Sequence, residues 1–297
     1  MTADPEVLLS VTMLRPDEKL LLNALRDQGL RVRTALPADL TEVLAGRVAP
    51  PALGLIRNLS HREAHGTAQR LEVAGVTTLN RASAIEICND KGLQALLFAR
   101  YGIPHPVTVH AFGYDQVREE VAGLGHPAVV KPVSGSWGRG VSLLADGPGT
   151  EAWIGGRESV DAAGKLFPVL VQSYVDKPGH DLRVVVVGDT PVVAIQRVSE
   201  DWRTNTHLGA EIRRTEITPE IAKRCAQVVE ALGEGFYGVD LVEDRTTGEL
   251  MVLEVNANPE FAKSSARHGV DVAGLLAAYT ARTVAAYADR TAGADAG

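Results

Sequence analysis

Between residues 128 and 144 the chain reads AVVKPVSGSWGRGVSLL. An apolar run ends in Lys131, a loop of small residues carries Gly135, Ser136, Trp137, Gly138, Arg139 and Gly140, and a second apolar run follows. Glycine lets a backbone approach an anion and turn its N–H groups inward, and lysine adds a compact positive charge. The combination predicts a hairpin whose loop lies over a nucleotide's phosphates like a flap. It is not a Walker loop, because no Gly-Lys-Ser/Thr follows and no helical pattern opens after the glycines. Alone, the same residues would equally suit an ordinary glycine-rich hairpin turn. Lys91 stands in a comparable place, where a polar segment meets Gly92 and an apolar run. Two lysines could offset phosphate charge together, although one helix lysine by itself is commonly just solvated.

A second group of residues supplies oxygens. Asp240, Glu254 and Asn256 occupy strand positions whose neighbours, Val239, Leu241, Leu253 and Val255, are apolar. Side chains alternate along a strand, so Glu254 and Asn256 share a face, and a hairpin with the strand of Asp240 would bring all three together. An oxygen-only set of two carboxylates and an amide suits Mg²⁺, which keeps waters and takes phosphates for its remaining positions. The competing reading is a pair of solvated acids beside a turn. The third group is cationic: Arg183, two residues from Asp181, then Arg197, then Arg203 and Asn205 in a polar loop. A guanidinium fork grips phosphate or carboxylate through two parallel hydrogen bonds, but any one of these arginines could as well sit in a surface ion pair.

The elements that must position these groups follow from periodicity. Strands are predicted at Val7–Val11, Leu30–Val32, Leu53–Ile56 and Val76–Leu79, with helices from Pro16 to Gly29 and from His61 to Ala74 between them. Strands alternating with helices imply a small parallel sheet of doubly wound type. No Gly-x-Gly-x-x-Gly follows the first strand, which excludes a dinucleotide fingerprint. A helix is expected over Asp90–Ala99, a strand at Val107–Val109, a helix over Tyr114–Ala122, and another over Trp153–Ala163 despite Gly155-Gly156. The last third reads as β-rich. Strands are predicted at Val169–Val175, Asp181–Val187 and Pro191–Arg197, the last two forming a hairpin through Gly188-Asp189-Thr190. A helix at Pro219–Leu232 precedes strands at Phe236–Val242 and Leu250–Val255. A final helix from Val272 to Tyr287 is followed by an Ala/Gly/Asp-rich tail. The expected division is an N-terminal unit at 1–84, a central α+β unit with the flap at 85–165, a C-terminal unit with the acids at 166–289, and a disordered tail at 290–297.

Composition narrows the partners. With 30 Lys plus Arg against 37 Asp plus Glu, the net charge is −7, the wrong sign for a nucleic-acid-coating protein. No apolar run approaches the ~20 residues of a membrane span. Cys88 and Cys225 have no metal-ligand spacing and read as core thiols of a reducing, cytoplasmic compartment.

The order of these features resembles the ATP-grasp carboxylate–amine ligases of the RimK/LysX branch, most closely the LysX type. The resemblance is carried by Lys91, Lys131 with its glycine loop, Gln172-Ser173-Tyr174-Val175, Asp181-x-Arg183, Arg203-Thr204-Asn205-Thr206, Gly238-Val239-Asp240 and Glu254-Val255-Asn256. Supporting stretches are Arg15–Leu22, Ile56–His61 and Pro259-Glu260-Phe261. It implies an α/β ATP-grasp fold preceded by a small parallel-sheet domain, with ATP and two Mg²⁺ as cofactors. Lys91 and Lys131 would hold the phosphates under residues 135–140. Gln172, Ser173, Tyr174 and Val175 would bind adenine, and Asp181 and Arg183 would lie beside the nucleotide. Asp240, Glu254 and Asn256 would hold the metals, while Arg197, Arg203 and Asn205 would face the transferred phosphate. Phe261, Lys263 and Ser264 would lie near the amino-acid substrate. The implied reaction joins the C-terminal glutamate side chain of a small acidic amino-group carrier protein to the α-amino group of 2-aminoadipate, glutamate or a related amino acid. The alternative is RimK-like addition of glutamate to a ribosomal protein or small cofactor. Lys263-Ser264 stands where LysX-type chains tend to have Asn-Ser or Asn-Thr, which leaves the amino acid open. Relatives of this kind are commonly homodimers or homotetramers.

Overall fold

The structure is a computed structural model that describes residues 6–135, 138–161, 163–204 and 210–294. Its first sheet joins β1 (Glu6–Val11), β2 (Arg31–Ala35), β3 (Leu53–Arg57) and β4 (Thr77–Leu79) in the order β2-β1-β3-β4, all parallel. The linking helices are α1 (Pro16–Asp27), the short α2 (Thr41–Leu44) and α3 (His61–Val73). Pro16 opens α1 at a position where a missing N–H costs nothing, and Leu21 and Leu25 form its buried stripe. Ser60 caps α3 by accepting from the Glu63 N–H. Two helices follow, α4 (Ala82–Asn89) and α5 (Lys91–Arg100). Asp90 caps α5 through the Gly92 and Leu93 N–H groups, so Lys91 is the first residue of a fixed helix.

The central sheet contains β5 (Thr108–Ala111), β6 (Ala128–Pro132), β7 (Ser142–Leu144) and β8 (Val169–Ser173), with α6 (Tyr114–Leu124) and α7 (Gly147–Glu158) against it. Its order is β5-β8-β6-β7, and every pair is antiparallel. Two expectations are corrected here. The central unit does not end at residue 165, because β8 inserts between β5 and β6. The helix expected from Trp153 starts at Gly147, because the Asp146 carboxylate accepts from the Gly149 N–H and sets the first turn earlier.

The C-terminal sheet is antiparallel in the order β11-β10-β9-β12-β13. Its strands are β9 (His180–Gly188), β10 (Thr190–Val198), β11 (Glu211–Thr215), β12 (Gly235–Glu243) and β13 (Leu250–Asn256). One face packs on α8 (Pro219–Leu232), whose Ile221, Cys225, Val228 and Leu232 recur at helical spacing. On the other face Val185, Val187 and Ile195 share a core with Val7, Leu9 and Leu53 of the first sheet and with Val272 and Leu276 of α10 (Val272–Ala294). A short helix, α9 (Ala262–His268), links β13 to α10. Helix α10 continues past Tyr287 to Ala294, so residues 290–294 are not the frayed tail expected; alanine-rich sequence favours helix. Both cysteines are buried free thiols. No helix among the described residues is long and apolar enough to cross a membrane.

Candidate active site

Strand register explains how the polar residues meet. Arg183 lies opposite Asp240, and Asp240 lies opposite Glu254, which places one row of charge across β9, β12 and β13. Arg197 lies opposite Asp181 in the next row on the same face. Asn256 pairs with Gly238, two residues along from Glu254. A bulge leaves Leu253 without a partner between the Asp240–Glu254 and Leu241–Val252 pairs. It shifts the alternation, so that Val252 and Val255 both enter the core while Leu253 and Glu254 line the cleft.

The charges on this face are tightly partnered. Arg183 donates to both Asp240 oxygens at 2.7 Å, and Arg197 approaches the same carboxylate at 3.2 Å. Arg197 also donates to both oxygens of Asp181, at 2.7 and 2.8 Å, and Thr204 donates its hydroxyl to Asp181. Burial alone would raise the Asp240 carboxyl's pKa, but Arg183 and Arg197 outweigh it and hold the value below the ordinary range. Arg197 is likewise opposed by burial, and the two carboxylates push its pKa up.

The opposite wall comes from the central sheet and α5. Lys131, 7 % exposed, donates to the Gln172 side-chain oxygen at 3.0 Å. Burial pushes its ammonium down to about 8, with Lys91 adding to the effect and Glu254 opposing it. Lys91 donates to the Gly135 carbonyl at 2.6 Å, and its own N–H donates to the Val133 carbonyl at 2.8 Å, so both ends of the residue tie α5 to the glycine loop. That loop needs glycine: Gly138 and Gly140 have φ of 67° and 74°, and a Cβ at Gly140 would press on Pro132 at 3.3 Å.

Both walls border one cavity of about 700 Å³, lined by Lys91, Lys131, Asp181, Arg183, Arg197, Arg203, Asp240, Glu254 and Asn256 among others. Gln172, Ser173, Tyr174, Val175, Gly135, Gly138, Lys263 and Ser264 line it as well. Arg139 and Gly140 are exposed and are not part of the lining. Ser136, Trp137 and Asn205 lie outside the described residues. Phe261 is placed differently from the expectation of a substrate contact: it is buried in the core, edge-on to Phe236 at 5.7 Å, and off the cleft wall.

Sequence reasoning missed several wall residues. Lys177 donates to Thr204 at 2.9 Å and lies 3.9 Å from Asp181; burial lowers its pKa. Its one sequence signal is a lysine ahead of Pro178-Gly179 at the entry to β9. Arg15, Asn58, His61 and Asn258 also line the cleft. They come from a junction where the Asp17 carboxylate accepts from the Phe261 and Ala262 N–H groups, and Arg57 donates to Glu18 and to the Pro259 carbonyl.

The fit to a divalent cation rests on the donor set. Among the described residues no three His, Cys, Asp or Glu side chains cluster, and the set here contains two acids and an amide. Asp240, Glu254 and Asn256 present oxygens from one face of the β12–β13 hairpin into the cleft, a match to a hard cation. Asp240 retains lone-pair capacity beyond its arginine contacts, since a carboxylate has about four acceptor sites.

The observation that joins the two walls is Lys91 Nζ, 3.3 Å from Glu254 Oε1. Cationic groups beside a glycine loop therefore meet an oxygen-ligand face across one cavity, the arrangement for gripping a polyphosphate and its metal. The profile of the RimK-like ATP-grasp domain matches residues 88–280. The chain belongs to the RimK-like ATP-grasp family. It is 34 % identical over 223 residues to the alpha-aminoadipate–LysW ligase LysX of Saccharolobus solfataricus, covering 74 % of this chain and 80 % of that one. It is 28 % identical to the glutamate–LysW ligase ArgX of Sulfurisphaera tokodaii over 92 % of this chain and 97 % of that one. The crystal structure of a RimK-domain ATP-grasp protein from Sphaerobacter thermophilus superposes with a TM-score of 0.73 at 26 % identity, covering 92 % of this chain and 98 % of the other. This ATP-grasp chain is accordingly an ATP-dependent carboxylate–amine ligase with a mixed α/β fold.

Proposed function

We propose that this ATP-grasp ligase joins the side-chain carboxylate of a C-terminal glutamate on a small acidic amino-group carrier protein to the α-amino group of 2-aminoadipate, glutamate or a related amino acid. The observation that carries the reading is the meeting of Lys91 and Lys131 with Asp240, Glu254 and Asn256 across the cleft, with Lys91 3.3 Å from Glu254. The likeness to LysX and ArgX, two ligases named for LysW, supports the carrier as the carboxylate donor.

Lys91 and Lys131 hold the phosphates of ATP, and the glycine loop tied to Lys91 shields them from water. Main-chain groups around Ser173, Tyr174 and Val175, with Gln172 beside Lys131, seat the adenine; Asp181 and Arg183 lie next to the nucleotide. Two Mg²⁺ ions would be held by Asp240, Glu254 and Asn256, and when bound they supply neutralisation of charge on the transferred phosphoryl group. Arg197 and Arg203 face that group, where cations stabilise the spreading charge of the transition state. The carboxylate takes the γ-phosphoryl group to give an acyl phosphate and ADP. The amine then attacks the acyl carbon, phosphate leaves, and an amide remains. Excluding water from the cleft protects the acyl phosphate until the amine arrives.

The test is an ADP-release screen of amino acids against the candidate carrier protein, with mass spectrometry of the product. One amino acid should support ADP release only together with the carrier, and the carrier's mass should rise by that amino acid less one water. ADP release that ignores the carrier, or an unmodified carrier after turnover, would overturn the reading.

A further inference from the structure

Three stretches that carry no assigned chemistry, around Arg15, Asn58 and Pro259, converge beside the cleft. The N-terminal contributors sit at the carboxyl ends of parallel strands, the edge where open α/β sheets bind ligands. Two asparagines there share a feature. Asn58, only 2 % exposed, has its Oδ1 fixed by the Ser10 hydroxyl at 3.0 Å, while its Nδ2 is buried with no hydrogen-bond partner among the described residues. Asn258 donates its Nδ2 to the Asn58 carbonyl at 2.9 Å, while its Oδ1 is buried and likewise without a partner. Each amide is anchored at one end and orphaned at the other, and both residues line the cleft. Leaving a buried polar atom unpaired is costly, so such atoms in a cleft wall mark where a ligand completes the bonding.

The orphans are complementary: one donor and one acceptor on touching residues. An α-amino acid presents the matching pair on a single carbon, a carboxylate to accept and an amine to donate. Asn258 lies two residues beyond Asn256 on the same chain exit from β13, which places this pair beside the oxygen-ligand face. We propose that Asn58 and Asn258 form the seat for the amino-acid substrate's α-carboxylate and α-amine, Asn58 Nδ2 donating to the carboxylate and Asn258 Oδ1 accepting an N–H of the attacking amine. This inference rests on the reading of the chain as an amino-acid ligase, and it assigns the seat to side chains outside the Phe261–Ser264 stretch. Arg57 and Asp17 are positioning residues for it, because they hold the chain around Pro259 and Phe261 against the first sheet.

The experiment is calorimetric titration of L-2-aminoadipate and L-glutamate into the whole chain with Mg²⁺ and ADP, which requires no turnover. The same is done for Asn58→Ala, Asn58→Asp and Asn258→Ala. One amino acid should bind the native chain and bind the alanine variants about 10- to 100-fold more weakly, the loss expected for a hydrogen bond to a charged group. Asn58→Asp keeps an acceptor for Ser10 yet repels the α-carboxylate, so it should bind at least as weakly as Asn58→Ala. 5-Aminopentanoate, which is 2-aminoadipate without its α-carboxylate, should bind native and Asn58→Ala chains equally. ADP affinity within about twofold of native in each variant shows a folded cleft. No amino-acid binding to the native chain, unchanged affinity in Asn58→Ala and Asn258→Ala, or parallel loss of ADP binding would each overturn the seat. Failure of the ligase reading is visible separately: a chain that binds aminoadipate through Asn58 yet releases no ADP with the carrier would overturn the reaction and not the seat.

Discussion

Two buried arginine–carboxylate clusters in this molecule use the same chemistry in opposite ways. Arg57, 1 % exposed, donates to Glu18 at 2.9 and 3.2 Å and to the Pro259 carbonyl, with Phe236 and Phe261 at 5.4 and 5.6 Å from its guanidinium carbon. Arg15 closes the other side of Glu18 at 2.8 Å. Neither Arg57 nor Glu18 lines the cleft, and the Arg57 contacts among the described residues lie in the joint between the first sheet and the loop after β13. Arg183 and Arg197 clasp Asp240 and Asp181 with equal closeness, but all four side chains line the cavity. A pair whose own atoms stay out of the cleft, as Arg57 and Glu18 do, fixes a domain joint. A cluster open on one side holds charge that a phosphate or cation can re-partner without a new desolvation cost. Burial and ion-pair distance alone do not separate structure from function here; the free side does.

That contrast can be broken by mutation. The largest functional effect belongs to the open side: Glu254→Ala should reduce ADP release to background while the melting temperature stays within about 2 °C of native. Retained turnover, or a collapsed melting temperature, would put Glu254 in the structural class. Arg57→Ala should do the reverse. It leaves the buried Glu18 carboxylate with Arg15 as its remaining cation and should cost about 1–3 kcal/mol in denaturant unfolding. ADP turnover per folded molecule should fall far less than in Glu254→Ala, and an unfolding free energy near native would refute the sealed-joint account.

A smaller effect is set by pH. Burial holds Lys131 at about 8, below its ordinary 10.5, so it loses its proton as pH rises past 8. Phosphate prefers the charged form, so the KM for ATP should rise by up to about tenfold per unit above pH 8. Lys131→Arg keeps its charge and should flatten that rise. The sign for stability is opposite: the unfolded chain binds this proton more tightly, so Lys131's contribution to stability increases with pH between about 8 and 10.5. A flat KM profile in the native chain would remove Lys131 from the phosphates. The smallest effect belongs to Arg118, exposed on α6 with Asp115 and Glu151 at 2.7 Å: Arg118→Ala should leave both the unfolding midpoint and ADP release unchanged.

The open cluster was legible in sequence because alternation is local. Glu254 and Asn256 interrupt an apolar strand, and the short turn between β12 and β13 forces the hairpin that brings Asp240 opposite Glu254. The sealed joint was not legible. Asn258 reaches Asn58 across 200 residues and Phe261 reaches Asp17 across 244, distances over which no periodicity speaks. Phe261 illustrates the cost: its neighbours in sequence line the cleft, but its ring fills the joint beside Phe236. Element errors have similar causes. Strand β11 (EIRRT) carries one apolar residue and forms only as the edge partner of β10. Helix α4 lacks a side-chain cap and so announces no start. The position of β8 between β5 and β6 depends on antiparallel pairings that local sequence does not encode.

Closure of the two cleft walls on one nucleotide and its metal is tested by a crystal structure with Mg²⁺ and a non-hydrolysable ATP analogue. The expected result is phosphates against Lys91 and Lys131, with metal on the oxygens of Asp240, Glu254 and Asn256. A nucleotide bound elsewhere, or phosphates and metal that leave those five side chains untouched, would contradict it.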